Sequence, residues 1–492
     1  MDEPAYVSLE ELHRHNRKDD CWVVVHRKVW DVTEFLDEHP GGPEIILSCA
    51  GGHATEEFDK VHAPGMFEDT LPATKFKGLL EHSAMDPPPQ DATVATQRQI
   101  EAGVRKEVSG PPGLHNLISA ADFEKVAEVE LSPKTWAFYS SAATDLITHR
   151  QNKALLRRIM IQPRILRDVR HISLRRRILG FESEAPFFIS PAAMAKLAHP
   201  DGEIALAKAA AREGIIQCIS NNASFPLARI VEAGSPKQPF FFQLYVNSER
   251  SKTTELLRKA KSLGIRAIFV TVDAPVPGKR EADERIAAGS VQSAISGATS
   301  ANDKKGGGLG RLMAQYIDKG LTWEDLAWIK ETSSAPIILK GVQNVEDAKM
   351  AVKYGVDGIM LSNHGGRSLD TSQPAILNLL ELRLKCPEVF SRLEVFVDGG
   401  FERGTDILKA IALGATAVGV GRPYLYSLVY GQEGAEHLTQ ILKDELETSM
   451  RLCGVRTLGE VTPDMLNTAD VDHLVRSQKF PDIPRRSPKA RL

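Results

Sequence analysis

Residues 394–424, "EVFVDGGFERGTDILKAIALGATAVGVGRPY", hold two short β-rich runs on either side of one helical stretch. The first run, "EVFVD", ends in Gly399 and Gly400. "GTDILKAIALGA" then spaces its apolar residues for one helix face and closes on a glycine suited to a helix C-terminus. "AVGV" follows and ends in Gly421, Arg422 and Pro423. Strand, helix and strand at this spacing form a crossover unit, the connection that parallel neighbours in a sheet require.

The same rhythm extends toward the N-terminus. "PFFIS" (186–190), "IIQCIS" (215–220), "FFFQLYV" (240–246), "AIFVTVD" (267–273), "PIILKG" (336–341) and "GIMLSN" (358–363) bring the runs to eight between residues 185 and 423. Amphipathic segments such as "EIALAKAAAREG", "TTELLRKAKSLG" and "VEDAKMAVKYG" separate many of them. This is the length and order of a (β/α)8 barrel. A doubly wound sheet is the competitor, but no G-x-G-x-x-G opens a helix after the first strand.

A chain of 492 residues, 42% hydrophobic, is long enough for more than one core. Residues 83–113, proline-bounded and polar, read as a linker between a domain at 5–82 and the barrel domain at 114–465, with a tail at 466–492. "AAGSVQSAISGATSANDKKGGGLG" (287–310) has almost no large apolar residue and reads as a mobile excursion of the second domain. A net charge of -3 gives no reason to expect nucleic acid or an anionic membrane as partner. The five cysteines show no C-x-x-C spacing, which argues against a disulfide framework or a structural zinc site. No 18-residue apolar run occurs, and the acidic start "MDEPAYVSLEEL" does not read as a mitochondrial presequence. The ending Ala490-Arg491-Leu492 resembles a peroxisomal import tripeptide, so a peroxisomal or cytoplasmic place is expected.

Barrel chemistry collects at the C-terminal ends of the strands. Read in order, those ends offer Gln243 and Tyr245, Thr271 and Asp273, Lys340, then His364 and Arg367 in "LSNHGGRSLD", Asp398 with Gly399 and Gly400, and Gly421 with Arg422. Singly, each has a structural explanation, as helix cap or solvated charge. A base, a carboxylate to orient it, a lysine and two arginines on successive ends of one barrel point together to a site. The glycines and Arg422 after the last two strands suit a phosphate, with Arg422 pairing in a bidentate fork.

"QLYV", "VTVDAPVPGKRE", "LKGV", "SNHGGR", "VDGG" and "GRP", in this order, resemble the FMN-dependent 2-hydroxyacid oxidase and dehydrogenase family over residues 114–465. The resemblance implies His364 as active-site base and Asp273 as the holder of its imidazole. Arg367 grips the substrate carboxylate, Tyr245 hydrogen-bonds the substrate, and Arg280 adds a second positive charge. It implies FMN contacts at Pro191, Ala192, Ala193, Met194, Ser220, Gln243, Thr271, Lys340, Asp398, Gly399, Gly400, Phe401, Glu402, Gly421 and Arg422. Three positions depart from the family pattern. Phe138 in "AFYSSAA" replaces a tyrosine that bonds the substrate carboxylate. Asn222 in "ISNNAS" replaces an apolar wall of the substrate pocket, which argues for a substrate other than plain lactate. Glu402 replaces a phosphate-holding arginine and is expected to point away from the phosphate.

Upstream, "FLDEHPGGPEIILSCAGGHATEEFDKVHAPG" (35–65) resembles the cytochrome b5 haem-binding domain, a small α+β fold. The resemblance implies haem b with His39 and His62 as the two iron ligands, which leaves no open position and makes the haem an electron carrier. His53 reads as a surface residue. Joined in this order, the two modules resemble dehydrogenases of the flavocytochrome b2 type. That implies oxidation of a lactate-like L-2-hydroxy acid, electron transfer through haem to cytochrome c or a similar one-electron acceptor, and a homotetramer. Two alternatives stay open: a peroxisomal (S)-2-hydroxyacid oxidase using oxygen, and a non-catalytic haem electron carrier.

Overall fold

A computed structural model of the chain describes residues 5–39, 42–55, 58, 67, 71–81, 110–287, 289, 291–300 and 308–475. His62, most of the expected linker and Ala490-Arg491-Leu492 lie outside the described residues. The chain divides into two compact units, Met1–Ser109 and Gly110–Leu492.

In the first unit, the strand Asp20–Val25 pairs antiparallel with Lys28–Asp31, which pairs with Phe76–Leu80, while Gly52–His53 lies parallel on the other side. Successive side chains of a strand face opposite ways. Val24 therefore joins Leu12, Val29 and Leu80 on one side of this sheet, whereas Cys21 and Val23 join Trp30, Val32 and Leu36 on the other. The second side carries the stacked rings of Trp30, Phe67 and Phe58, and His39 follows the short 3-10 turn Leu36–Glu38. His53 is exposed.

The second unit is built on eight parallel strands closed into a barrel. They are β1 (Phe187–Ile189), β2 (Gln217–Ile219), β3 (Phe240–Leu244), β4 (Ala267–Thr271), β5 (Ile337–Val342), β6 (Gly358–Leu361), β7 (Glu394–Asp398) and β8 (Ala417–Val420). Seven fall within the runs read from the sequence, β5 extends one residue past its run to Val342, and β8 closes on β1 through Val418 opposite Phe187.

Inside the barrel, one residue from every strand builds an apolar layer: Phe188, Cys218, Phe241, Phe269, Ile338, Met360, Phe396 and Ala417. The Phe241 and Phe269 rings stack at 5.5 Å, and Phe396 meets Phe269 at 5.6 Å. The hairpin Arg176–Ile178 with Phe181–Ser183 adds Ile178 to this layer. A step of two residues along each strand returns to the same face. That step leads to Ser190, Ser220, Gln243, Thr271, Lys340, Ser362, Asp398 and Gly419, so the next layer is polar. An apolar plug beneath a polar ring is the floor of a cavity open at the C-terminal ends of the strands.

The serine-rich tract at 287–310 departs from expectation where it is described. Val291–Gln292 pairs antiparallel with Thr299–Ser300. Ser293 Oγ donates to the Ala223 carbonyl at 3.2 Å, and Ser296 Oγ donates to Asn222 Oδ1 at 2.6 Å. These hydroxyl bonds join Val291 and Ile295, which pack against the barrel core, in anchoring the segment. Leu466–Asn467 pairs with Met160–Ile161, and Arg158 bonds Asp470, which ties this end of the described chain to the barrel unit. Among the described residues no helix is long and apolar enough to cross a membrane.

Candidate active site and cofactor cradle

The cavity above the polar ring encloses about 1390 Å³ with its open mouth. Its floor is wired across neighbouring strands. Ser220 Oγ and the Asn221 N–H donate to Gln243 Oε1 at 3.4 and 3.1 Å, and Gln243 Nε2 donates to Thr271 Oγ1 at 3.0 Å. Thr271 stands opposite Lys340 in the strand register, and Lys340 Nζ donates to Ser362 Oγ at 3.1 Å and lies 3.5 Å from Asp398. Burial works against the Lys340 ammonium, but Asp398 and Asp273 outweigh it and hold its pKa above the ordinary lysine value. A fixed cation therefore sits in the floor.

After β6 the chain turns through His364, Gly365 and Gly366 with φ of 60°, 64° and 79°. A Cβ on Gly366 would lie 2.7 Å from the His149 backbone nitrogen, so the turn needs a glycine there. Asn363, wholly buried, accepts the Gly366 N–H at 3.1 Å, and its amide clasps that of Asn152 at 3.0 and 2.8 Å. Ser362 Oγ accepts the His364 N–H at 3.0 Å. His364 is thereby held in a left-handed conformation that costs a non-glycine residue about 1–3 kcal/mol, stored strain of the kind found at functional sites.

The held ring points Nδ1 at Asp273 Oδ1, 3.0 Å away, and Nε2 at the Tyr245 hydroxyl, 3.3 Å away. The Asp273 side chain is fully buried, and its pKa stays below the ordinary carboxylate value because His364 and Lys340 outweigh the cost of burial. Burial, with Lys340 and Arg280, lowers the His364 pKa against the pull of Asp273. A neutral ring must donate through Nδ1 to an ionised carboxylate, which leaves the Nε2 lone pair facing the cavity.

Arg367 spreads its two terminal nitrogens to the carbonyls of Tyr139 and Phe138 at 2.7 and 2.8 Å, and lies 5.3 Å over the Phe138 ring. Phe138 and Arg280 line the same cavity. Asn222 also lines it, but Oδ1 of Asn222 already accepts from Ser296 and from Tyr316 at 3.1 Å. Its polarity is used to hold neighbouring loops. Pro191, Ala192, Ala193, Gly399, Gly400, Phe401 and Gly421 line the cavity, and the Met194 side chain joins the apolar core while its carbonyl accepts from Tyr139 at 2.7 Å. Glu402 lines the cavity and pairs with Lys153 at 2.6 Å. Arg422 gives Nε to the Tyr139 carbonyl, Nη2 to the Ser141 carbonyl and Nη1 to the Gly365 carbonyl, each at 3.0 Å, with His149 Nδ1 at 3.3 Å. Tyr139, His149 and Lys153 are wall residues that strand-end reading does not reach, whereas Ser190 closes the first strand run.

Four buried polar atoms at or beneath this wall have no partner among the described residues: Ser190 Oγ, Asp273 Oδ2, Arg280 Nε and Asp398 Oδ1. Buried polar groups are rarely left unpaired, so the cavity is built for a polar occupant.

The family model "FMN-dependent dehydrogenase" matches residues 127–468. The chain belongs to that family. A model for the "cytochrome b5-like heme/steroid binding domain" matches residues 8–81. Among relatives, the L-lactate dehydrogenase (cytochrome) of Wickerhamomyces anomalus is 41% identical over 94% of this chain and 80% of its own length. Glycolate oxidase 3 of Arabidopsis thaliana is 39% identical over 72% of this chain and 96% of its own length. A solved flavocytochrome b2 variant is 38% identical with a TM-score of 0.67, covering 80% of this chain and 95% of that one. The family's cofactor suits the orphaned polar atoms. Gly419 adds to the fit, since a Cβ there would lie 2.2 Å from Ser190 Oγ.

For haem, the decisive described residue is His39. Its Nδ1 lies 3.1 Å from the Gly42 carbonyl, to which it can only donate, so a neutral ring keeps its lone pair on Nε2, the form a metal needs. Among the described residues there is no cluster of three or more His, Cys, Asp or Glu suited to a metal. His39 beside Phe35 and an aromatic-lined core fits the haem that the matched domain model names.

Proposed function

We infer that the protein oxidises an L-2-hydroxy acid to the 2-oxo acid with reduction of FMN, and that electrons leave through haem b to a cytochrome c-like acceptor. The observation that carries this is the convergence of His364, Asp273, Tyr245, Arg280 and Arg367 on a cavity whose floor holds Lys340, in a chain that also carries the cytochrome b5-like unit. FMN, when bound, supplies the two-electron acceptor, and haem a one-electron carrier.

The protein's own part is to place and hold charge. Arg367 and Arg280 bind the substrate carboxylate; Arg367 has terminal N–H groups beyond the two given to Phe138 and Tyr139, and the fork fits a planar anion. Tyr245 orients the substrate hydroxyl toward His364. Nε2 of His364 accepts the proton that the substrate loses, and Asp273 stabilises the resulting imidazolium. Lys340, held in the cavity floor by Ser362 and Asp398, would supply a positive charge to the flavin when it is bound. Phe138 offers no hydroxyl to the carboxylate, so Arg367 carries more of its binding. His39 and, outside the described residues, His62 would hold the haem iron, and four chains would assemble into one molecule.

Anaerobic mixing with lactate, glycolate, mandelate and longer 2-hydroxy acids in a stopped-flow spectrometer tests the reading. Flavin bleaching followed by reduced-haem bands is the expected result. Bleaching with an inert haem and rapid reoxidation by oxygen would identify an oxidase, the activity named for the glycolate oxidase relatives. Absence of bleaching with every acid would leave only an electron carrier.

A further inference from the structure

The phosphate end of the cavity has an unusual charge arrangement. Arg422 already commits four of its five N–H groups to three carbonyls and His149. The adjacent loop contributes a carboxylate, Glu402, two residues after the Gly399–Gly400 pair that follows β7. The helix Ile147–Arg158 brings up the missing cation. Its residues 149, 152 and 153 share one face at helical spacing. His149 meets Arg422, Asn152 is clasped by Asn363, and Lys153 reaches the cavity wall. Lys153 Nζ lies 2.6 Å from Glu402 Oε1 and 3.1 Å from Glu124 Oε2. An ammonium has three N–H groups, so two carboxylates leave one to offer.

Resting on the FMN reading above, we propose that Lys153 is the cation that receives the flavin phosphate in this chain, with Glu402 and Glu124 as its internal counter-ions. Glu402 is therefore not turned out of the site. It fixes the lysine side chain at the wall and competes with the phosphate for the same ammonium. Asn152 determines where the lysine stands, because its amide pair with Asn363 ties the helix to the loop of His364. Two signs follow. Removing Lys153 weakens phosphate binding, and neutralising Glu402 strengthens it. Neither change touches the Gln243, Thr271 and Lys340 floor, which would hold the flavin ring.

The test uses full-length protein stripped of flavin and titrated with FMN and with riboflavin, which lacks the phosphate. Lys153→Met is expected to weaken FMN about tenfold or more, the scale of one charge-assisted hydrogen bond, and to leave riboflavin unchanged. Lys153→Arg should keep the preference for FMN. Glu402→Gln, which preserves side-chain shape, should tighten FMN and leave riboflavin alone. An unchanged FMN-to-riboflavin ratio in Lys153→Met, or weaker FMN binding in Glu402→Gln, overturns the proposal while the flavin reading stands. Failure of the unsubstituted protein to take up either flavin overturns both.

Discussion

Asp273 and His364, 91 residues apart in sequence, meet at 3.0 Å on the rim between β4 and β6. The contact fixes which ring nitrogen carries the proton, so the carboxylate determines the chemistry of a base it does not share a strand with. Substituting His364 with glutamine keeps a polar side chain of similar reach but no base. Flavin reduction should fall by about 10²–10⁴, the contribution of a positioned base, while FMN absorption of the purified protein is unchanged. Unimpaired reduction in this variant would remove His364 from the mechanism.

Acid should silence the same group. Burial disfavours the imidazolium, so the folded pKa of His364 lies below its ordinary 6.5 and the ring is neutral at pH 7. Activity requires the neutral form. The logarithm of kcat/KM should therefore climb with pH and level off, with a midpoint below 6.5. Asp273→Asn removes the one neighbour that favours the charged ring. Its midpoint should move further down, and its plateau should drop by about 10²–10⁴ because the tautomer is no longer held. A midpoint that rises in Asp273→Asn contradicts this electrostatic account.

The turn after β6 should tolerate little. Gly366 has φ 79° and no room for a Cβ against the His149 backbone. Gly366→Ala is expected to cost about 1–3 kcal/mol in stability through strain and displacement. Thermal unfolding would show it as a lowered Tm, and flavin reduction should slow as well, since His364 precedes the displaced residue. Equal stability to the unsubstituted protein would mean that the turn is more pliant than its geometry implies.

Much of the barrel was legible because a strand repeats every two residues. Once "EVFVD" and "AIFVTVD" are strands, the residues two steps beyond Phe396 and Phe269 must face inward, and these are Asp398 and Thr271. Helical residues follow no such ladder toward the site. Lys153 and His149 enter from a helix that precedes β1, and only the packing of that helix against the His364 turn, through the Asn152–Asn363 pair, brings them to the wall. Asn222 was visible as a polar residue at an apolar position. Its partners Ser296 and Tyr316 lie 74 and 94 residues away, and strand periodicity does not indicate such a distant hydrogen bond. Polarity at a wall position thus said less about the substrate than about the loop behind the wall.

That loop should respond to the loss of Asn222. Leucine in its place would leave the Ser296 and Tyr316 hydroxyls without the acceptor they share. The expected cost is about 1–3 kcal/mol, with faster proteolytic cleavage at the serine-rich hairpin around residues 291–300. Measured KM for small 2-hydroxy acids should rise more than kcat falls, because the base and its carboxylate partner are untouched. Cleavage at the unsubstituted rate would show that the hairpin is anchored without this amide.

The haem unit should separate cleanly from the flavin chemistry. His39 follows a 3-10 turn, and its Nδ1 is fixed by the Gly42 carbonyl, so alanine there would remove the proposed iron ligand without removing a core residue. His39→Ala is expected to lose the haem absorption bands and cytochrome c reduction together. Flavin bleaching by the hydroxy acid should proceed at its former rate, because the base, the arginines and Lys340 all belong to the other unit. Transfer to an artificial acceptor such as ferricyanide should then recover part of the turnover. Retention of cytochrome c reduction without haem would mean that electrons leave the flavin directly, and the N-terminal unit would need another role.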